Sequence, residues 1–107
     1  MVTVISNVPT KAVAENSCLV VIRGPNLGRR YNLDQSAIII GRSSKADIQI
    51  DEDSVSRNHC RIMNNGQHFL IRDLGSTNGT YVNDKVISEG YLRDGDQIKI
   101  GKAIFKF

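Results

Sequence analysis

Hydrophobic and polar residues alternate along this chain at the spacing of β-strands. The segments ADIQID and DQIKIG alternate cleanly, so the two isoleucines of each segment share one face of an extended backbone. The segment AIIIG is a continuous apolar run, which is typical of a strand buried on both faces. The nearest approach to helical spacing, TKAVAEN, is too short to hold a helix without docking. The pattern therefore predicts strands and no substantial helix.

Turn residues separate the predicted strands from Cys18 to the end of the chain. They occur as Gly-Pro, Asn-Asn-Gly, Asn-Gly and Asp-Gly-Asp, each of which favours a tight reversal of the backbone. Roughly ten or eleven short strands, with a turn signal about every eight to twelve residues, are typical of an antiparallel sandwich or barrel. We predict an all-β, antiparallel fold.

The chain has 107 residues, which is the size of one domain. Residues 1–17 contain little core-forming sequence beyond VTVI, so we expect them to form a flexible tail or an added edge strand. Residues 18–107 form the predicted domain. The sequence ends on AIFKF, directly after a strand, which suggests a domain that belongs to a longer protein, with a natural terminus as the alternative.

Composition favours a globular protein of the cytoplasm. Hydrophobic residues make up 40% of the chain and charged residues 23%, which is ordinary for soluble domains. No apolar run approaches the roughly 20 residues of a membrane helix, and the N-terminus lacks the features of a secretory signal. We therefore expect a cytoplasmic location and no membrane partner.

The two cysteines, Cys18 and Cys60, allow a single disulfide bridge, but two free thiols are the preferred interpretation for a cytoplasmic chain. Together with His59 and His68 they match no zinc-binding spacing. We expect neither a metal site nor a cofactor.

Three clusters of polar residues stand at the predicted turns: GRSSKAD, SVSRNH and GSTNGT. Loops of a sandwich gather at its two ends, so three clusters can meet in one patch. Arg42 would offer a planar set of donors that suits a phosphate. Ser56 and Thr77 would offer hydroxyls, and Asn78 an amide that donates and accepts. These groups fit a phosphate carried on a peptide.

The same residues resemble those of the forkhead-associated (FHA) domain, a β-sandwich that binds phosphothreonine. The resemblance consists of Gly41-Arg42, then the segment SRNH at 56–59, then Asn78-Gly79, in this order and at these intervals. It extends over residues 18–107. It implies an antiparallel β-sandwich of about 11 short strands.

The resemblance also implies a role for each residue of the patch. Arg42 would pair with the phosphate, and Ser56 would donate to a phosphate oxygen with help from the backbone of Arg57. Thr77 would lie beside the phosphate and the threonine methyl group. Asn78 would bind the peptide main chain just beyond the phosphothreonine.

Supporting roles follow from the resemblance as well. His59 would brace the loops from beneath without touching the ligand, and Gly41 and Gly79 would meet backbone requirements. Ser43 and Lys45 are interpreted as residues of the rim. Each assignment has a plain alternative, namely a solvated surface side chain or a residue that only completes a turn.

Two other classes of function are alternatives to peptide binding. Ser56, His59 and Asp73 contain the chemistry of a catalytic triad, but the chain has no nucleophile elbow and no phosphate loop. A small nucleic-acid-binding barrel usually presents aromatic platforms for bases, whereas this chain has three Tyr, three Phe and no Trp. We therefore predict neither an enzyme nor a nucleic-acid-binding protein.

The predicted function is phosphothreonine-dependent peptide binding in kinase signalling. The expected partner is a protein phosphorylated on threonine, and we expect an attached effector domain. Thr3 and Thr10 lie in the expected tail and could, once phosphorylated, serve as the domain's own ligand within one molecule or between two copies. The extended chain from Thr10 to Cys18 spans only about 26 Å, so capture within one molecule is marginal for Thr10.

Overall fold

A computed structural model describes residues 3–5, as backbone, and residues 17–107. In these two ranges all the regular structure is extended, as the alternation of the sequence predicts. The strands are β1 (Thr3–Ile5), β2 (Cys18–Arg23), β3 (Arg30–Asn32), β4 (Ala37–Gly41), β5 (Ile48–Gln49), β6 (Cys60–Asn64), β7 (Phe69–Asp73), β8 (Thr80–Val82), β9 (Lys85–Tyr91), β10 (Gln97–Ile100) and β11 (Ala103–Lys106).

The strands form a nearly closed sheet that folds into the two layers of a sandwich. Their order is β3-β2-β11-β10-β8-β9-β7-β6-β4-β5, and β1 pairs with β9 outside this path. The first half of β9 pairs with β8, and its second half, from Glu89 to Tyr91, pairs with β7. The single long strand β9 therefore carries the sheet from one layer to the other, and the predicted β-sandwich is confirmed.

Most neighbouring strands are antiparallel, but two pairs are parallel. These are β4 with β5, where Ile40 lies opposite Ile48, and β1 with β9. In the first pair, residues 42–47 return the chain to a position beside the end of β4, so β5 runs alongside β4 in the same direction. The carboxylate of Asp47 accepts a hydrogen bond from the backbone N–H of Ile39 at 2.7 Å, which holds this return in place. Alternation of side chains gives strand position but not direction, so the parallel pairs were not predicted.

The core lies between the two layers. The inward residues of the alternating strands are almost fully buried, and the largest belong to Phe69, Phe105, Leu19 and Leu33. Each buried leucine or phenylalanine contributes about 1.5–3 kcal/mol by leaving water. The sequence pattern therefore accounts for the packing without a disulfide or a metal.

The register of the strands places several loop-bearing ends together. Ile40, near the end of β4, is paired with Cys60 at the start of β6, and Cys60 is paired with Asp73 at the end of β7. Thr80, at the start of β8, is paired with Ile100 at the end of β10. The chain leaves the sheet after β4 and after β7 and enters it again at β6, all at the same end of the strands. The loops that join these strands therefore meet at one end of the sandwich.

The expected N-terminal tail is only partly described. Thr3–Ile5 lies in the sheet beside β9, as the added strand that the sequence also allowed, and not in a free tail. Residues 1–2 and 6–16 lie outside the described residues, so the division at residue 17 stays a prediction. Across the described ranges no helix has the length and apolar character needed to cross a bilayer.

Gly41 marks an unusually close approach of two backbones. A Cβ atom at this position would lie 2.0 Å from the carbonyl oxygen of Arg57 and 3.0 Å from that of Ser56. Arg42 N–H donates to the Ser56 carbonyl at 2.9 Å, and Ser43 N–H donates to the Arg57 carbonyl at 3.2 Å. Any side chain at position 41 would push the loop before β6 away from the end of β4.

We therefore expect Gly41→Ala to destabilise the protein by about 2–3 kcal/mol, because overpacking forces a backbone shift. Chemical denaturation of the purified variant measures this change. Gly66→Ala is the comparison variant: unlike Gly41, Gly66 has a left-handed φ of +89°, but its Cβ would meet nothing within 4 Å, so a cost of only about 1 kcal/mol is expected. Equal losses in the two variants would contradict the close-approach argument.

Candidate functional site

Three loops converge at the end of the sandwich where β4, β6 and β7 meet. We call them the first loop (42–47), the second loop (50–59) and the third loop (74–79). The second loop lies between the other two and bonds to both, through the contacts described below. The three polar clusters of the sequence are therefore brought together.

Arg42 begins the first loop and is tied to the second. Its Nε donates to the carbonyl oxygen of Val55 at 3.1 Å, while its backbone carbonyl accepts from Gln49 Nε2 at 3.2 Å. The side chain is exposed. In the described part of the protein the two terminal nitrogens of its guanidinium donate to no other group, so the end that suits an oxyanion remains available.

Ser56 connects Arg42 with the third loop. Its carbonyl accepts from Arg42 N–H, and its hydroxyl oxygen accepts from Thr77 N–H at 3.0 Å. Because this oxygen is the acceptor in that bond, the Ser56 hydroxyl proton is left to donate elsewhere. Arg42, Ser56 and Thr77 thus form one contiguous group.

Asn78 is exposed and is oriented by the second loop. Its Nδ2 donates to the carbonyl oxygen of Ser54 at 2.8 Å. This bond uses one of its two N–H groups and leaves the side-chain oxygen as an acceptor, which suits a peptide N–H. Thr77, beside it, is also exposed.

His59 joins the second and third loops from below. It is completely buried, its Nδ1 accepts from Ser56 N–H at 3.1 Å, and its Nε2 lies 2.8 Å from the carbonyl oxygen of Gly79. An amide donor at Nδ1 and a carbonyl acceptor at Nε2 are satisfied together only by a neutral ring with its proton on Nε2. His59 therefore fixes the separation of the two loops.

Gly79 needs its glycine for conformational reasons. Its φ is +86°, and an added Cβ would press on Val86 at 3.2 Å. In this conformation its carbonyl oxygen lies within hydrogen-bonding distance of His59.

Asp73 organises the third loop, and the sequence interpretation missed this role. One carboxylate oxygen accepts from the backbone N–H groups of Gly75 and Ser76, both at 3.1 Å. The other accepts from the hydroxyls of Ser76 at 2.5 Å and Thr80 at 2.7 Å. The Ser76 hydroxyl oxygen in turn accepts from Gly79 N–H at 3.0 Å. The spacing of Asp73 before GST was the available signal, since aspartate commonly bonds to backbone two or three residues later.

Arg57, Ser43 and Lys45 stand around this group. The Arg57 carbonyl anchors the first loop, and its side chain is exposed. The Ser43 hydroxyl accepts from Lys45 N–H at 3.1 Å, which shapes the first loop. Their position at the rim of a binding site stays a prediction.

The geometry does not make a catalytic triad of Ser56, His59 and Asp73. His59 receives the backbone N–H of Ser56 and not its hydroxyl, and its second nitrogen bonds to Gly79. Asp73 is bonded to its own loop. The imidazole therefore has no free nitrogen with which to take a proton from the serine.

The thiol beneath the site is inert. Burial raises the pKa of the Cys60 thiol above its ordinary value, the charge of Asp73 raises it further, and a hydrogen bond with Thr80 opposes the shift. The thiol therefore stays protonated and is a poor nucleophile. Cys60 and Cys18 are both free, which was the preferred alternative. Within the described residues no cluster of three His, Cys, Asp or Glu side chains could hold a metal ion.

Curated relatives with known names resemble most of this chain. An oxoglutarate dehydrogenase inhibitor of Corynebacterium jeikeium is 43% identical over 86% of this chain and 65% of its own length. The glycogen accumulation regulator GarA of Mycolicibacterium smegmatis is 44% identical over 81% of this chain and 55% of its own length. The chain thus spans about 55–65% of the length of these relatives.

Solved structures resemble it in fold as well. The FhaA FHA domain, determined in complex with the intracellular domain of another protein, is 38% identical with a TM-score of 0.77, covering 83% of this chain and 96% of that one. EmbR of Mycobacterium tuberculosis, determined with a low-affinity phosphopeptide, is 37% identical with a TM-score of 0.77, covering 85% of this chain and 24% of that one.

The family model of the FHA domain matches residues 38–101, which is more than half of the chain. This range contains all three loops and every residue assigned to them above. The chain belongs to the FHA-domain family, whose members bind phosphothreonine peptides.

Proposed function

We propose that the convergent loops bind a phosphothreonine peptide through Arg42, Ser56, Thr77 and Asn78. The observation that carries the proposal is the position of Ser56, whose carbonyl bonds to Arg42 and whose hydroxyl oxygen accepts from Thr77. This arrangement directs the remaining donors of Arg42 and Ser56 towards a common ligand. The backbone N–H of Arg57, which has no acceptor among the described residues, adds a third donor.

The charge of the ligand supports this assignment. A phosphothreonine carries about −1.5 to −2 charges at neutral pH and three strong acceptor oxygens. A hydrogen bond between charged groups contributes roughly 1.5–3 kcal/mol, which corresponds to a discrimination of about tenfold or more against the unphosphorylated peptide. Preference for phosphothreonine over phosphoserine rests on one methyl group beside Thr77 and is therefore smaller.

Asn78 supplies the peptide specificity that a phosphate contact alone lacks. With Nδ2 held by Ser54, its side-chain oxygen is the natural acceptor for a main-chain N–H of the ligand. A contact with the main chain requires an extended peptide and accepts any side chain at that residue. Binding therefore depends on the phosphate first and on an accessible backbone second.

The biological role that we propose is protein–protein recognition in kinase signalling, in the cytoplasm. The named relatives are a regulator and an enzyme inhibitor, which supports a binding role and not catalysis. The matched segment covers 65% and 55% of those relatives, so the unmatched part of each is shorter than the matched part and gives no support for the attached effector domain expected from the sequence.

We also propose that a phosphorylated threonine of the N-terminal segment regulates the site by binding to the convergent loops. β2 starts at Cys18 on the end of the sandwich away from the three loops, and its six residues cover about 20 Å. The roughly 26 Å of extended chain from Cys18 to Thr10 barely exceeds this length. Thr3 is placed in β1 and would have to leave β9 before it could bind. Capture by a second copy avoids both constraints.

Arg42→Ala should abolish the phosphate dependence of peptide binding. We expect the affinity for a phosphothreonine peptide to fall by about tenfold or more, because the charged contact with the phosphate is lost. Isothermal titration with phosphorylated and unphosphorylated forms of one peptide measures this. Arg30→Ala, which removes an exposed arginine from β3, is the matched control and should bind as the unaltered protein does.

Indifference of the unaltered protein to the phosphate would overturn the proposed function. Loss of affinity in Arg30→Ala as well as in Arg42→Ala would show a general effect of charge and would overturn the role assigned to Arg42.

Phosphorylation of the N-terminal threonines should block the site. After treatment with a threonine kinase, the intact chain is expected to bind a test phosphopeptide roughly tenfold more weakly than a chain lacking residues 1–16, because the internal ligand competes. Thr3→Ala and Thr10→Ala, treated in the same way, identify which threonine competes. Sedimentation of the phosphorylated protein distinguishes capture within one molecule from capture between two. Equal affinity of the intact and shortened chains would rule out self-recognition.

A further inference from the structure

The outer surface of one layer of the sandwich has a single sign of charge. It is formed by β3, β2, β11, β10 and β8, and we call it the basic face. Register places Val20 opposite Arg30 on one side and Lys106 on the other. Lys99 lies opposite Ile104. Directly opposed residues of an antiparallel pair share a face, so these side chains point away from the core.

A bulge adds a fourth cation to the basic face. Ile22 and Arg23 together oppose Ile104 where the pairing of β2 with β11 shifts register. A bulge of this kind leaves one strand with an extra residue and locally disrupts the alternation of faces. Both residues are exposed, and Ile22 is 38% accessible although it is a large hydrophobic side chain.

The four cations of this face are not neutralised within the protein. Among the outward-facing residues of these five strands none is Asp or Glu. In residues 17–107 none of the four lies within ion-pair distance of a carboxylate. The basic face therefore has four positive charges and no negative charge of its own.

The outer surface of the other layer is different. There Arg72 is paired across the sheet with Glu89, and their side chains form an ion pair at 2.8 Å. Charges of both signs on a sheet are the usual way to keep a surface soluble without attracting a partner. The contrast indicates that the charge of the basic face is not merely a general property of the surface.

Spacing and apolar content match a protein surface as the ligand. Strands lie about 4.8 Å apart, so Arg30 and Lys106, two strands apart, are separated by about 10 Å. Lys99 and Lys106 stand on adjacent strands in diagonal positions, about 7–8 Å apart. Half-buried Val20 and Ile104 and exposed Ile22 lie between these cations. A partner protein fits this pattern if its carboxylates lie on successive turns of a helix or at alternate positions of a strand, with apolar residues between them.

The same features disfavour a nucleic acid. Binding of single strands relies on open aromatic rings, and the ring of Tyr81 on this face is covered by Lys99, whose Nζ lies 5.6 Å from its centre. A flat sheet surface also has no protruding helix or ribbon to enter a duplex groove.

We propose that the basic face docks an acidic protein surface, independently of phosphate. The face contains none of the residues of the phosphopeptide site, and it lies along the side of the sandwich while the site lies at its end. Both surfaces can be occupied at once. Docking at the basic face therefore does not depend on phosphothreonine binding at the loops.

The probe for this face is a short amphipathic peptide rich in glutamate and free of phosphate, with its glutamine counterpart as the neutral control. We expect the glutamate peptide to shift backbone amide resonances of β2, β10 and β11 in a saturable way.

The double variant Lys99→Glu, Lys106→Glu should bind the glutamate peptide roughly tenfold more weakly, since two attractive contacts become repulsive. The double variant Arg72→Glu, Lys85→Glu changes the net charge equally, on exposed residues of β7 and β9 outside the basic face, and should bind as the unaltered protein does. Circular dichroism and the unchanged amide resonances of β4, β6 and β7 away from the substituted residues verify that both variants are folded.

Three results would overturn the proposal. One is an absence of saturable binding, or shifts confined to the three loops. Another is equal weakening in the two double variants, which would reduce the effect to net charge. The third is tighter competition by single-stranded DNA or by vesicles of anionic lipid than by the glutamate peptide, which would assign the face to another class of ligand.

Discussion

The candidate site depends on one buried imidazole. His59 receives the amide of Ser56 and lies within hydrogen-bonding distance of the carbonyl of Gly79, so two loops far apart in sequence are held at a fixed separation. The ring is fully buried, and leaving either of its partners unsatisfied would cost about 1–3 kcal/mol. Gly41 supplies the other half of the constraint, because only a residue without a side chain lets the second loop lie against β4. Stability and site geometry are therefore built from the same contacts.

The groups that hold the loops are largely distinct from the groups that are left for a ligand. Arg42 uses Nε to bind its own protein, Ser56 uses its oxygen as an acceptor, and Asn78 uses one N–H. The groups left for a ligand are the terminal nitrogens of Arg42, the hydroxyl proton of Ser56 and the side-chain oxygen of Asn78. The contacts within the protein position the side chains that carry them before a ligand binds. Orientation before binding lowers the entropy that a ligand must otherwise lose, so a small set of contacts can be selective.

The sequence predicted the strands well because alternation of side chains directly reports a half-buried strand, and the order of three short motifs located the loops. It did not predict the parallel pairing of β4 with β5, since periodicity carries no information on direction. The role of Asp73 was missed because a carboxylate at a strand end looks like any turn residue until its four hydrogen bonds are seen. The placement of Thr3–Ile5 beside β9 depends on partners distant in sequence, which local patterns do not specify.

His59 holds the loops of the candidate site together and, in the proposed function, does so without touching the ligand. The most direct test is the affinity of a folded His59→Ala variant for a phosphothreonine peptide, measured below its unfolding transition. We expect binding of the phosphorylated peptide to be at least about tenfold weaker, with that of the unphosphorylated peptide unchanged, because the loops that contain Ser56 and Thr77 lose their fixed separation. Undiminished, phosphate-dependent affinity in a variant shown to be folded would mean that His59 does not position the site.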